Sequence, residues 1–277
     1  MKKFFRLLLL SLCLTVFLTG AVAEPLRGYE PKQGYVYVTL GRYPQTVDGG
    51  TPGDPAAAWK WKGSVIEDPS GLELTPEPIL WRVLAADDEQ IWIQSEYILL
   101  AMPIHTDYTE YKRFKGDFTQ TELWSFLNGQ FLAEAFTSEE AEMFLPADGD
   151  GKLFILSSDD LKNKALGFTG NAARKAWATE YAVRVTGAFV YKQAEKCCSP
   201  YWTSTPSTSG QAAGRAARCT KQDGSVGYYN TSNPEEGVRP SGRLKAGSFT
   251  VTAGTGTPDD PLVLTSVVTP VPAVPAE

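Results

Sequence analysis

Histidine and cysteine are scarce in this chain of 277 residues, which has one histidine, His105, and four cysteines. A serine or cysteine nucleophile that depends on an imidazole base would have to use His105, which follows Pro103-Ile104 in a predicted loop without a nearby nucleophile motif. The usual zinc sites, which are built from cysteine and histidine, are disfavoured because the chain has so few of these residues. We therefore predict no catalytic residue, no metal ligand and no cofactor.

Three of the cysteines, Cys197, Cys198 and Cys219, lie in the second half of the chain. An exported protein meets an oxidising environment, so we expect one disulfide between the vicinal pair and Cys219, with one thiol left over. Closing a loop of about 20 residues would stabilise the fold by about 3 kcal/mol in the chain-entropy model. All three cysteines are assigned a structural role, and the cysteine of the pair that forms the bond stays open.

Positively charged residues are also fewer than acidic ones. The chain has 26 lysines and arginines and 32 aspartates and glutamates, which gives a net charge of −6. Three of the cations, Lys2, Lys3 and Arg6, precede an apolar run and Ala21-Val22-Ala23, which is typical of a secretory signal peptide over residues 1–23. Removing this segment takes away three cations and no acids, which leaves −9. An acidic secreted or cell-surface protein disfavours nucleic acid as a partner, and no membrane span is predicted in the mature chain.

Strand signals predict one domain over residues 24–252. Residues 35–40 are β-branched or aromatic apart from Leu40, contain no strand breaker, and predict a first strand that Gly41-Arg42-Tyr43-Pro44-Gln45 ends. Residues 48–77 are rich in glycine, proline and aspartate and are predicted to form a loop insertion. Two alternating apolar runs around Asp87-Asp88-Glu89 predict a hairpin with Trp81 and Trp92 in the core. Residues 253–277 are rich in threonine and proline and predict a flexible tail.

Helix signals rest on capping patterns. Thr119 and Glu122 have capping-box spacing, and Gly129 is placed to end the helix that follows them. Residues 137 and 140 repeat the pattern before a short helix, and residues 157 and 160 have a similar spacing after a predicted strand. A further helix is predicted over residues 179–183. Asp148 and Asp150 fit the start of a calcium loop, but Lys152 stands at the third ligand position, so a turn is predicted there.

Residues 201–244 are predicted to form a small antiparallel sheet that carries the candidate binding residues. Their aromatic rings could stack on a sugar or a peptide, and the neighbouring polar groups could form hydrogen bonds. The candidates are Trp202, Arg218, Tyr228, Tyr229 and Asn230.

Each candidate also has a structural interpretation. Trp202 fits a core position, and strand alternation would send one of Tyr228 and Tyr229 inward. Arg239 is assigned a structural role in a buried hydrogen-bond network.

Seven motifs occur in order between residues 35 and 244. They are Gly41-Arg42-Tyr43-Pro44-Gln45, Pro78-Ile79-Leu80-Trp81-Arg82-Val83-Leu84, Leu123-Trp124-Ser125-Phe126-Leu127-Asn128, Phe154-Ile155-Leu156-Ser157, Thr179-Glu180-Tyr181-Ala182, Tyr201-Trp202-Thr203-Ser204 and Gly237-Val238-Arg239-Pro240. With these motifs the chain resembles a family of bacterial secreted domains of unknown function. The chain departs from that family at the adjacent Cys197-Cys198 pair and at Ser241-Gly242-Arg243, where apolar residues usually continue.

The order of the late motifs is also similar to that of C-type-lectin-like domains and of relatives of formylglycine-generating enzymes. This resemblance implies an α+β fold, a C-type-lectin-like mixed fold with antiparallel sheets and a few short helices. The family has no established activity, and the cysteine spacing does not match that of formylglycine-generating enzymes.

The expected function is an exported, non-catalytic recognition module for an extracellular glycan, peptide or protein. The first alternative is an oxidase or hydrolase of the formylglycine-generating type that uses Cys197 or Cys198. The second alternative is a structural component of the cell envelope.

Overall fold

The computed structural model describes residues 26–31, 34–47, 60–191, 198–208, 210, 213–214 and 216–267, without the side chains of residues 148, 216, 218 and 219. The predicted signal peptide, Cys197, residues 48–59 of the loop insertion and the last ten residues lie outside this part of the chain. Within it, no helix is both long enough and apolar enough to cross a membrane.

The described residues form twelve strands and five short α-helices. The strands, in chain order, are β1 (Tyr37–Pro44), β2 (Pro76–Ala86), β3 (Gln90–Ser95), β4 (Leu100–Ala101), β5 (Leu153–Phe154), β6 (Trp202–Pro206), β7 (Ala216–Thr220), β8 (Val226–Asn230), β9 (Gly237–Val238), β10 (Ser241–Lys245), β11 (Phe249–Ala253) and β12 (Leu262–Ser266). The helices are α1 (Tyr108–Arg113), α2 (Glu122–Phe126), α3 (Leu132–Ala135), α4 (Ser138–Ala141) and α5 (Glu180–Arg184).

A seven-stranded sheet in the order β11-β12-β1-β2-β3-β10-β5 organises the fold. Its neighbouring strands are antiparallel except β1 and β12, which are parallel. Two smaller antiparallel sheets are β4-β9 and β6-β7-β8. The predicted α+β fold, with antiparallel sheets and a few short helices, is confirmed.

Both faces of the large sheet pack against other parts of the protein. Side chains of a strand point alternately to opposite sides, so one strand can contribute to both layers. On β3, Ile91 and Ile93 belong to the larger core cluster, which also contains Leu127 and Phe131 of the helical layer. Trp92 points the other way and packs against a second cluster, which contains Tyr201. The β2–β3 hairpin was predicted, and Asp87 closes its turn by accepting hydrogen bonds from the amides of residues 89 and 90.

Three predicted boundaries of elements are wrong. Strand β1 runs on to Pro44, because a bulge between Thr39 and Arg42 absorbs Gly41, whose φ is +67°. Gly129 does not end its helix, since α2 continues through a π-helical turn (Leu127–Phe131) into α3. The N-cap is also not Thr119: the Thr121 hydroxyl caps α2 by accepting from the Trp124 amide.

The capping pattern at residues 137 and 140 is confirmed: Thr137 accepts from the Glu140 amide, and the Glu140 carboxylate accepts from the Thr137 amide. Thr179 caps α5 as predicted. Asp148 lies in a single turn of 3-10 helix (Asp148–Asp150).

The predicted tail over residues 253–277 needs correction, because β12 lies within it. Leu262 and Leu264 are buried and alternate with exposed residues, which is the pattern of a half-buried strand. This strand lies between β1 and β11 and completes the large sheet. Threonine and proline are frequent in residues 253–277, so the composition of this segment did not indicate a strand.

Residues 201–244 also do not form one sheet. Strands β6, β7 and β8 form the three-stranded sheet, whereas β9 pairs with β4 and β10 pairs with β3 in the large sheet. The segment therefore links all three sheets and brings Arg243 of β10 next to β3 and β5.

Candidate functional site

Trp202 is a core residue. Its side chain is 1% exposed, and its indole N–H donates to the carbonyl of Met102 at 2.9 Å. Burial of the ring leaves no face for a ligand, so Trp202 holds the small sheet against the main core.

Tyr228, Tyr229 and Asn230 lie together on the surface at β8, the edge strand of the small sheet. The tyrosines are 52% and 53% exposed, so alternation does not send either of them into the core. They line a shallow depression of about 290 Å³ with Phe189 and Tyr191. Asn230 accepts hydrogen bonds from Ser232 and thereby stabilises the turn after β8. The backbone of Arg218 pairs with that of Tyr228, while its side chain lies outside the described atoms.

The predicted disulfide falls outside the described residues, because these include neither Cys197 nor the side chain of Cys219. Cys198 is buried, and its Sγ lies 2.6 Å from the carbonyl oxygen of Gln222. This contact ties the segment before β6 to the β7–β8 turn.

Arg239 lies in a buried network of charged and polar groups. Its Nε and Nη2 donate to the carbonyl of Ser95 at 3.0 and 2.7 Å, and Nη1 donates to the Tyr201 hydroxyl at 3.3 Å. The Glu96 carboxylate lies 4.0 Å from Arg239 and forms two hydrogen bonds of 2.7 Å with Arg82. Burial alone would lower the pKa of Arg82, but the Glu96 carboxylate outweighs it and holds that pKa above its usual value. The network therefore joins β2, β3 and β9 rather than forming an open site.

A larger pocket, of about 480 Å³, opens where β3, β10 and β5 meet the turn before α2. We call it the Arg243 pocket. Aromatic rings and small polar groups line it, and the lining residues are Trp92, Asp117, Phe118, Thr119, Trp124, Ala147, Phe154, Ile155, Ser157, Asp160, Ser204 and Arg243. Its size falls within the range of small-molecule sites.

The register of the sheet builds the centre of this pocket. Arg243 lies directly opposite Trp92 in the antiparallel β3–β10 pair. The guanidinium carbon is 4.8 Å from the centroid of the Trp92 ring and 5.7 Å from that of Phe154, within the range of cation–π attraction. The two rings are 6.1 Å apart.

The side chain of Arg243 makes no hydrogen bond and no ion pair with any other side chain that the structure describes. Its Nε and the Nε1 of Trp92 are buried donors without a protein acceptor. Neither Nη nitrogen of Arg243 is among the buried side-chain atoms that lack a hydrogen-bond partner, and the residue as a whole is half-buried. Such a half-buried, unpaired cation is unusual, since buried polar groups are generally hydrogen-bonded.

Two carboxylates lie at the rim of the pocket, and each closes a local turn. One oxygen of Asp160 accepts from the amide and the hydroxyl of Ser157 at 2.8 and 2.7 Å. Asp117 accepts from the Gln120 side chain and from the amide and hydroxyl of Thr119. The side-chain hydrogen bonds from Gln120 and Thr119 lower the pKa of Asp117, so this carboxylate is ionised at neutral pH.

The residues that line the Arg243 pocket include no histidine, cysteine or lysine. His105 is elsewhere, where its Nδ1 accepts from the Asp107 amide and its ring contacts Phe114. The described part of the chain holds no cluster of three or more histidine, cysteine or acidic side chains that could bind a metal ion. The aromatic side chains of the pocket can stack on the rings of a ligand, and its polar and charged side chains can form hydrogen bonds and ion pairs with it.

Sequence reasoning missed this pocket and placed Trp92 in the core. A local signal was nevertheless present: Trp92 stands between Gln90 and Gln94 on the polar face of β3, opposite Ile91 and Ile93. A large aromatic ring on a polar face indicates either a second covering layer or a binding surface. Nothing local to residue 92 indicated that Arg243 would face it.

The chain matches no family model, no curated protein and no solved structure. The resemblance to secreted domains of unknown function and to C-type-lectin-like domains therefore stays a prediction.

Proposed function

We propose that this protein is an exported, non-catalytic recognition module that binds an extracellular ligand in the Arg243 pocket. The observation that carries the proposal is the combination of an open volume of about 480 Å³, several aromatic rings and a guanidinium without a counterion. Ring faces supply the contact area, and a few polar groups orient the ligand. The predicted signal peptide supports the extracellular location.

The tyrosine depression at β8 is the weaker of the two candidate sites. It is smaller, at about 290 Å³, and Tyr228 and Tyr229 stand largely in solvent. Stacking on half-buried rings that the fold already holds in place loses less conformational entropy on binding. The depression therefore serves as an internal control for the Arg243 pocket.

The test is a screen of the secreted protein against immobilised glycans and peptides, followed by titration calorimetry with each ligand found. Replacing Trp124 with alanine should weaken binding by about tenfold, because the ligand loses one stacking face. Tyr228→Ala should leave the affinity unchanged. Circular dichroism and thermal melting of both variants would check that they are folded.

Two results would overturn the proposal. If Tyr228→Ala weakens binding and Trp124→Ala does not, the ligand site is the depression at β8. If no ligand binds while a substrate is turned over, the protein is an enzyme. Loss of that turnover in Cys198→Ser would then favour the oxidase or hydrolase alternative.

A further inference from the structure

The guanidinium of Arg243 has one face against aromatic rings and no anionic partner among the described residues. Resting on the proposed function, we propose that the ligand is an acidic sugar, a pyranose ring that bears a carboxylate, and that Arg243 pairs with that carboxylate. The proposal specifies the chemical class of the ligand and the residue that selects it.

Stacking on Trp92 occupies the face of the Arg243 guanidinium and leaves its edge for in-plane hydrogen bonds. Arg243 lines the pocket, and its Nε is buried, whereas neither Nη nitrogen is among the buried unpaired atoms. A carboxylate can accept two parallel hydrogen bonds from such an edge.

A charge that is partly withdrawn from water, with no counterion among the side chains that the structure describes, binds an incoming anion more strongly than an exposed charge does. Neither Asp117 nor Asp160 forms an ion pair with Arg243 within 4.0 Å, and each carboxylate accepts hydrogen bonds within its own turn. The cation is therefore available to a ligand.

Trp124 and Phe118 line the same pocket, and their flat apolar rings suit the C–H faces of a sugar ring. Asp160 uses one carboxylate oxygen for Ser157, and its other oxygen can accept from a sugar hydroxyl. A sugar ring with several hydroxyls and one carboxylate therefore complements this pocket, in which the carboxylates of Asp117 and Asp160 can accept hydrogen bonds and Arg243 supplies one positive charge.

An extended peptide fits this pocket less well. The outer edge of β5 is the place where a peptide could add as a strand, but the Asn128 side chain already occupies it. Its Oδ1 accepts from the amides of Lys152 and Leu153 at 2.7 and 2.9 Å, and its Nδ2 donates to the carbonyl of Leu153 at 2.9 Å. A densely charged polyanion is disfavoured by the net charge of −6 and by the two rim carboxylates.

The experiment compares matched ligands on the full secreted chain by titration calorimetry. The probes are the methyl glycoside of galacturonate, which carries a single carboxylate, its methyl ester, the methyl glycoside of galactose, and a tripeptide with a C-terminal carboxylate. The corresponding glycosides of glucuronate and glucose cover the second common ring configuration. The wild-type protein should bind one of the acidic series about 10- to 100-fold more tightly than its ester or its neutral counterpart.

The variants are Arg243→Gln, Arg243→Lys and the surface control Arg113→Gln. Arg243→Gln should remove the preference for acid over ester and keep the residual affinity for the neutral sugar. Arg243→Lys should recover part of the preference, since it keeps the charge without the planar edge. Arg113→Gln should bind like the wild type. The comparison of acid with ester on the wild-type protein stands even if an Arg243 variant fails to fold.

The outcomes separate the two proposals. Equal binding of acid, ester and neutral sugar, still weakened by Trp124→Ala, would refute the acidic ligand and keep the recognition function. Binding of the tripeptide alone, or no binding of either acidic series, would also refute the acidic sugar. If none of the immobilised glycans or peptides binds either, the recognition function falls with it.

Discussion

Replacing Glu96 with glutamine should be among the most destabilising changes that remove no core volume. The Glu96 carboxylate forms two hydrogen bonds of 2.7 Å with Arg82, whose side chain is 7% exposed, and lies 4.0 Å from Arg239, whose side chain is fully buried. Removing one partner of a buried ion pair costs about 3–5 kcal/mol, because the other charge stays buried and unpaired. Arg239 keeps its two hydrogen bonds to the Ser95 carbonyl, so we expect about 3 kcal/mol, the lower end of that range.

Urea unfolding followed by tryptophan fluorescence would measure this difference. The matched control is Glu110→Gln, which breaks an exposed ion pair of 2.5 Å between Glu110 and Arg113. Exposed pairs contribute about 0–1 kcal/mol, so the control should shift the midpoint only slightly. Since a typical domain is stable by about 5–15 kcal/mol, the Glu96 variant should lose a large fraction of its stability. Equal midpoints for the two variants would refute a role of the network in stability.

Four further predictions concern single residues. Trp202→Ala should lower the free energy of unfolding by about 3–5 kcal/mol in urea, because the ring is buried in the core. Thr137→Ala should cost about 1 kcal/mol in the same assay, since it removes an N-cap. Gly41→Ala should lower the melting temperature, because an added Cβ would lie 2.6 Å from backbone and ring atoms at a φ of +67°. Hydrogen bonds from Gln120 and Thr119 lower the folded-state pKa of Asp117, so its contribution to stability is present above about pH 4 and is lost as the pH falls through the folded value. Asp117→Asn should therefore flatten the acid side of the stability profile, and an unchanged acid side would contradict this.

Local elements of the fold could be predicted because their signals lie within a few residues. The β2–β3 hairpin follows from alternating apolar residues around a turn that Asp87 closes. The cap at Thr137 follows from a threonine and a glutamate three residues apart. In both cases the hydrogen bonds that stabilise the element join neighbours in sequence, so the pattern alone is sufficient.

The errors arose where a local signal competes with distant contacts. Gly41 signals a turn, but pairing of β1 with β2 carries the strand through it as a bulge. The Thr/Pro-rich composition after residue 252 signals a tail, but β1 offers an open edge that Leu262 and Leu264 can join. In each case, strand pairing across the sheet outweighs the local preference.

The β2–β3 hairpin, the caps at Thr137 and Thr179 and the acidic balance of charge follow from composition or from short-range spacing, and the α+β class followed from the resemblance to C-type-lectin-like domains. Which polar residues meet depends on packing between distant parts of the chain. The tertiary structure buried Trp202 and Arg239, left Tyr228 and Tyr229 at an edge strand, and placed Arg243 over Trp92. The physical reason is that Trp92 and Arg243 come together only through the register of β3 with β10, which is set by contacts across the whole sheet.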